Sequence, residues 1–164
     1  MAKPAGLEVS HTVIIQAPPE RVMAAFFDSD DLSKWWQVVR SVTVPRPLGT
    51  FAVEWESTDY RDEILGRLGG AFHGTVIDYR SGSEFFVADA YWQPPEGEPI
   101  GPMALEVRCR PQGGAHITRL SVRQSGDDDG PRWRRYFEVV AAGWLRALTE
   151  LKTYLDREAL RERR

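Results

Sequence analysis

The sequence predicts an α+β fold: a curved antiparallel sheet of six to seven strands around one long C-terminal helix, with two short helices after the first strand. Three observations predict it. Trp133, Phe137, Val140, Trp144, Leu148, Leu151 and Leu155 recur at steps of three and four, which lays them along one helix face. Arg134, Arg135, Arg146, Glu150 and Lys152 lie elsewhere on the circumference. Burying such side chains is worth ~1.5–3 kcal/mol each, so the stripe requires a large apolar partner. No second long helix carries a matching stripe, and the strand-like segments before it have no helix between them. The partner is therefore an antiparallel sheet.

Residues 7–16 alternate, with Leu7, Val9, Val13 and Ile15 on one side and Glu8, Ser10, Thr12 and Gln16 on the other, as a half-buried strand does. Ala17-Pro18-Pro19-Glu20-Arg21 ends that strand, because proline has no N–H for the ladder. Proline also suits a first helical turn, and Glu20 complements the positive end of the helix dipole. Val22, Ala25 and Phe26 give this short helix its buried face, ending near Asp28. Ser29-Asp30-Asp31 signals a second helix, with Ser29 as N-cap and Leu32, Trp35 and Trp36 as its apolar side.

Further strands are expected at roughly 38–44, 50–58, 70–80, 84–93, 102–111 and 115–125, each bounded by turn residues. The charged stretch Tyr60 to Gly66 reads as a break, and Pro94 to Pro99 as a mobile rim loop. Phe51, Val53 and Trp55 oppose Glu54 and Glu56. Met103, Leu105, Val107 and Cys109 oppose Glu106, Arg108 and Arg110, and Thr118, Leu120 and Val122 oppose Arg119, Ser121 and Arg123. One sheet face is thus dry and the other wet. In 84–92 the expected inward set is Phe86, Ala88, Ala90 and Trp92, since the other parity includes Asp89. Asp127, Asp128 and Asp129 with Gly130-Pro131 close the last strand and open the long helix. Arg157, Arg161, Arg163 and Arg164 read as its solvated, fraying end.

At 164 residues the chain suits one domain, 1–164, with its core at about 7–156. Hydrophobic residues at 42% and charged residues at 27% place it among globular proteins rather than disordered ones. A net charge of -3 argues against a nucleic-acid partner bound through its phosphates. A lone Cys109 excludes an internal disulfide and a cysteine zinc site. Residues 1–10 lack the features of a signal peptide and no long apolar run exists, so no membrane insertion is expected and the location reads as cytoplasmic.

Ile14-Ile15-Gln16-Ala17-Pro18-Pro19-Glu20-Arg21-Val22 resembles the opening strand-to-helix signature of a known superfamily. Leu32 through Trp35-Trp36 is similar to its tryptophan-bearing second helix, and Trp144 with Leu148, Leu151, Lys152, Tyr154 and Leu155 resembles its closing helix. That superfamily is the START-like, helix-grip (SRPBCC) one, with the Bet v-like fold. The branch the chain resembles is that of homologues of the activator of the ninety-kilodalton heat-shock chaperone ATPase. The chain departs from it in running His73-Gly74-Thr75-Val76-Ile77 into Tyr79-Arg80-Ser81-Gly82 instead of a Pro-Pro turn. Authentic co-chaperones carry a further chaperone-binding domain, for which this sequence has no room, so the resemblance implies the fold rather than chaperone activation. It also implies a mostly apolar cavity between helix and sheet. Members bind lipids, sterols, hormones or polyketides there, some cyclise or dehydrate polyketides, and many small bacterial members have no assigned activity.

The expected cavity lining is Trp36, Phe51, Trp55, His73, Trp92, Met103, Trp133, Phe137, Val140 and Trp144, although the simpler reading of its aromatic residues is that they fill the core. Ala141, Ala142 and Gly143 are small residues in mid-helix. Glycine there costs about 1 kcal/mol relative to alanine, so either a strand approaches closely, the simpler reading, or space is left for a ligand. His11, His73 and His116 have no metal-ligand spacing, and neither a metal nor a cofactor is expected. His73 reads either as an inward polar anchor or general acid/base, or as a rim histidine with a backbone partner. No nucleophile has an elbow motif, and Gly66-Arg67-Leu68-Gly69-Gly70 lacks the Lys-Ser/Thr ending of a phosphate loop. Nothing in the sequence brings Asp89 and Tyr60 together.

Three functions follow as expectations. The first is a non-enzymatic binder of a small hydrophobic or aromatic molecule. The second is a cyclase- or aromatase-like enzyme moving protons with groups such as His73. The third, weaker, is a protein-interaction module, with dimerisation through an edge strand left open.

Overall fold

The computed structural model describes residues 6–163. In chain order the elements are β1 (Leu7–Ile15), α1 (Pro19–Ala24), α2 (Ser29–Trp35), β2 (Arg40–Thr43), β3 (Thr50–Trp55), β4 (Arg61–Asp62), β5 (Gly66–Arg67), β6 (Gly70–Arg80), β7 (Glu84–Gln93), β8 (Ile100–Pro111), β9 (Thr118–Gly126) and α3 (Pro131–Glu162). Seven strands form one antiparallel sheet in the order β1-β9-β8-β7-β6-β3-β2, and β4 and β5 form a separate hairpin. The architecture is the α+β one the patterning predicts, with α3 lying on the apolar face of the sheet. Among the described residues no helix is long and apolar enough to cross a membrane.

The helix starts follow local chemistry. Pro19 opens α1 with Glu20 in its first turn. The N-cap of α2 is Asp28 rather than the expected Ser29: its carboxylate accepts the Asp31 N–H at 2.9 Å, a better-placed acceptor one residue earlier. α3 runs six residues past 156, so Arg157 and Arg161 lie within it, while Arg164 is outside the described residues.

Two further expectations need correction. The stretch 60–66 is not merely a break. Asp62 turns back within it, accepting the N–H groups of Ile64 and Leu65 at 3.1 and 2.9 Å and thereby closing the β4–β5 hairpin. In β7 the inward set changes parity midway. Val87 pairs with Leu105 and Ala90 with Met103, so Ala88 and Asp89 together oppose one residue of β8, and Asp89 takes φ 50°. This bulge turns Phe85 and Val87 inward before it and Ala90 and Trp92 inward after it, leaving Phe86 and Ala88 outside the core. Gly74 on β6 lies opposite: a Cβ there would strike Val87 and the Ala88 carbonyl.

On the wet face, Arg108 meets Glu106, Arg110 meets Glu84 and Arg123 meets Glu8. Such exposed pairs contribute about 0–1 kcal/mol each and mainly keep that face solvated. The core holds α3 by Leu148, Leu151 and Leu155. Its C-terminal half is also pinned by charge. Asp156 accepts the Gln16 N–H at 2.8 Å, and Lys152 donates to the Ile14 carbonyl at 2.8 Å. The Arg21 guanidinium bridges Asp31 at 2.7 and 2.9 Å and Glu158 at 2.8 and 3.0 Å, while the Tyr154 hydroxyl donates to Asp31 at 2.6 Å. That cluster ties α1, α2 and α3 into one end of the molecule.

Candidate functional site

A pocket of about 570 Å³ opens to solvent between α3, the α2–β2 corner, the end of β3 and the approach to the β4–β5 hairpin. One wall is a run of indoles. Trp35 is buried and donates its ring N–H to the Ala25 carbonyl at 2.9 Å, which fixes its plane. Trp36 stacks on it at 5.0 Å between ring centres and 6° between planes. Trp36 then touches Trp55 edge-on at 5.2 Å and Trp144 at 4.8 Å. The Trp55 N–H is taken up by the Trp36 carbonyl at 3.0 Å, so this wall is rigid as well as apolar.

The opposite wall is Trp92 stacked on Tyr136 at 5.1 Å, with the Trp92 N–H held by the Gly69 carbonyl at 2.8 Å. Between the walls stand Gln124 of β9 and the α3 residues Val140, Gly143, Trp144 and Ala147. A Cβ on Gly143 would find nothing within 4 Å. The close approach of a strand is therefore not what this glycine serves, and its missing side chain leaves room on the pocket side. Glu56, Arg146 and Glu150 are exposed residues on the same lining, so its charges belong to the solvent-facing part.

Buried polar groups in this pocket form a directed set. An indole N–H can only donate, so the Trp144 ring gives its proton to Gln124 Oε1 at 2.8 Å. That fixes the amide: Gln124 Nε2 faces the Tyr136 hydroxyl oxygen at 3.3 Å and Met103 Sδ at 3.5 Å. Burial pushes the Tyr136 phenol well above its ordinary range, against a smaller opposing effect of the Gln124 bond. It therefore stays protonated at any ordinary pH.

Of the residues expected to line the cavity, Trp36, Trp55, Trp92, Val140 and Trp144 do line this pocket. The other five do not. Phe51 shares the inward parity of Trp55 but lies four residues away, about 13 Å along the strand, and packs on Phe27 and Phe85 deep in the core. Met103 is buried behind Gln124. Trp133 and Phe137 stack on each other and cover Gly126, sealing the first turns of α3 against β9. His73 is exposed on the wet face beside Tyr91, because Phe72 and Val76 take the inward parity of β6. Gln124 and Tyr136 were missed. Gln124 continues the inward parity of Thr118, Leu120 and Val122, and that polar residue on a dry face was the available signal.

The mouth is bordered by the segment 56–69, which α3 holds through one ion pair. Arg135 reaches Asp62 at 2.7 Å, and Asp62 is buried. Its hydrogen bond from Arg135, opposed by burial and aided by the Ile64 and Leu65 N–H groups, keeps its carboxyl below the usual carboxylate range. We expect Arg135→Ala to loosen this border, at a cost of about 1–3 kcal/mol for the carboxylate left short of a partner. Hydrogen exchange checks it: amides of 61–67 should exchange faster while those of β8 and β9 do not change.

Among the described residues no three His, Cys, Asp or Glu side chains gather as a metal-ligand set. Burial pushes the Cys109 thiol up to about 12, which leaves it without nucleophilic character at neutral pH.

Residues 6–157 match the family of polyketide cyclases/dehydrases and lipid transport proteins. The chain belongs to that family. No curated protein matches its sequence. Solved structures share the family's helix-grip fold at low identity. Protein MLL2253 from Mesorhizobium loti is 20% identical with a TM-score of 0.68, covering 92% of this chain and 98% of that one. The Aha1 dimer from Colwellia psychrerythraea is 16% identical with a TM-score of 0.60, covering 92% and 96%. DynU16, from the dynemicin biosynthetic locus, is 21% identical with a TM-score of 0.63, covering 91% of this chain and 47% of that one. At these identities the likeness speaks for the fold alone. The family's description spans polyketide cyclisation, dehydration and lipid transport.

Proposed function

We propose that this protein binds a small, largely apolar, ring-bearing molecule between the tryptophan wall and α3, without changing it chemically. The observation that carries this reading is the open space over Gly143, facing rigid indoles, in a pocket of about 570 Å³. Flat aromatic faces and few polar groups suit an apolar guest with limited hydrogen-bonding capacity. A cyclase-like enzyme is the second reading, favoured by the family description. It would need at least two titratable groups converging on the guest. His73, its only specific residue, faces solvent, and among the described residues Tyr136 is the one titratable side chain buried in the lining. A homodimer is a further reading: β2 is an edge strand with exposed Val42, and the Colwellia neighbour is a dimer.

A thermal shift with the neutral probe N-phenyl-1-naphthylamine tests binding. A site occupied at one hundred times its dissociation constant stabilises the fold by about 2.7 kcal/mol. The melting temperature should keep rising with the logarithm of free probe, while the bound-probe fluorescence saturates at one probe per chain. No rise, with no change in probe fluorescence, would refute the pocket as a ligand site.

A further inference from the structure

We propose that the Tyr136 hydroxyl is a dedicated hydrogen-bond donor for the guest, so that the ligand is a neutral molecule carrying an oxygen acceptor, a ketone or ether, on an otherwise apolar ring system. The inference rests on the ligand-binding reading above and specifies it.

The argument is one of hydrogen-bond direction. Trp144 has a single ring proton and no acceptor, so Gln124 receives it at Oε1. The amide nitrogen is then turned to Tyr136 and donates to the phenol oxygen at 3.3 Å. An oxygen that already accepts still has its own proton to give, and among the described residues no acceptor takes it. All three side chains belong to the pocket lining. A buried O–H without an acceptor costs about 1–3 kcal/mol, a deficit a guest acceptor removes. The relay is one-way: Trp144 to Gln124, Gln124 to Tyr136, Tyr136 to the guest. Each bond strengthens the next donor by polarisation.

The same groups exclude other guests. Among the described residues, no charged side chain lines the pocket apart from the exposed Glu56, Arg146 and Glu150. A guest carboxylate or ammonium placed against Tyr136 would lose its hydration with no counter-ion in exchange. Stacked Trp92 holds the phenol ring from one side.

A matched probe pair tests this: 9-fluorenone and fluorene, which share a ring skeleton and differ in the carbonyl. Titrations followed by tryptophan quenching should show fluorenone binding the unmodified protein about fivefold more tightly than fluorene, the worth of one net hydrogen bond. In Tyr136→Phe that preference should vanish while fluorene affinity holds. A second readout does not depend on affinity: the carbonyl stretch of bound fluorenone should lie lower in the unmodified protein than in Tyr136→Phe. Equal affinity of the two probes for the unmodified protein, or a preference that survives Tyr136→Phe, overturns the donor assignment and leaves the pocket reading standing. Failure of both probes to bind overturns the pocket reading, and the donor assignment falls with it.

Discussion

Gly143→Leu should abolish binding of an apolar probe while leaving the protein at least as stable as before. The two halves of that result have separate causes. Gly143 is helical, so replacing it with a better helix former recovers about 0.5–1 kcal/mol of lost backbone entropy. The new Cβ meets no atom within 4 Å, so the gain is not spent on a clash. The isobutyl group then projects into space now bounded by Trp36, Trp55 and Trp144, where the guest's rings would lie. Affinity should fall about tenfold or more, which is about 1.4 kcal/mol or more of lost binding. Gly143→Ala separates the effects: it should raise the melting temperature and weaken binding less. Chemical denaturation and probe titration on the two variants suffice. Undiminished binding in Gly143→Leu would mean the guest sits elsewhere.

Arg21→Ala is the substitution expected to cost most in stability, about 3 kcal/mol, the lower end of what breaking a buried ion pair costs. Asp31 has a side chain only 8% exposed and Arg21 28%, so the carboxylate is the group stranded. Burial drives the Asp31 pKa up, but the hydrogen bonds from Arg21 and Tyr154 outweigh it and hold the carboxyl below its ordinary value. A depressed folded-state pKa stabilises the protein above the unfolded value, about 3.9, and that contribution fades as pH falls toward the folded pKa. The gap between parent and Arg21→Ala should therefore be full at neutral pH and narrow below about pH 4. Urea melts across that range decide it; a gap independent of pH would show that Asp31 is not the responsible partner.

The sheet and the long helix were legible because both repeat. Phe51-Val53-Trp55 and Leu105-Val107-Cys109 alternate without interruption, and the α3 stripe keeps one period over six turns. What broke the reading is non-periodic. The run Phe85-Phe86-Val87 offers apolar residues on both parities, and a single inserted residue at the Ala88-Asp89 bulge then decides which half faces in. No pattern in 60–69 announces a hairpin, because one buried carboxylate and an arginine seventy-three positions later hold it. Site residues were half legible for a related reason. Parity tells which face a residue takes but not how far along the strand the pocket lies, so Phe51 and Trp55 look alike in sequence and differ in place. For His73 and Gln124 the parity was in fact decisive: Phe72 and Val76 send the histidine outward, and Leu120 and Val122 bring the glutamine in.

The long helix divides its tasks along its length and around its axis. Leu151, Leu155, Asp156 and Glu158 fasten the body together, whereas the half-buried Val140 and the exposed Gly143 border the pocket. Selectivity can thus be rewritten one turn at a time, by evolution or by an engineer, without reopening the question of whether the chain holds its shape.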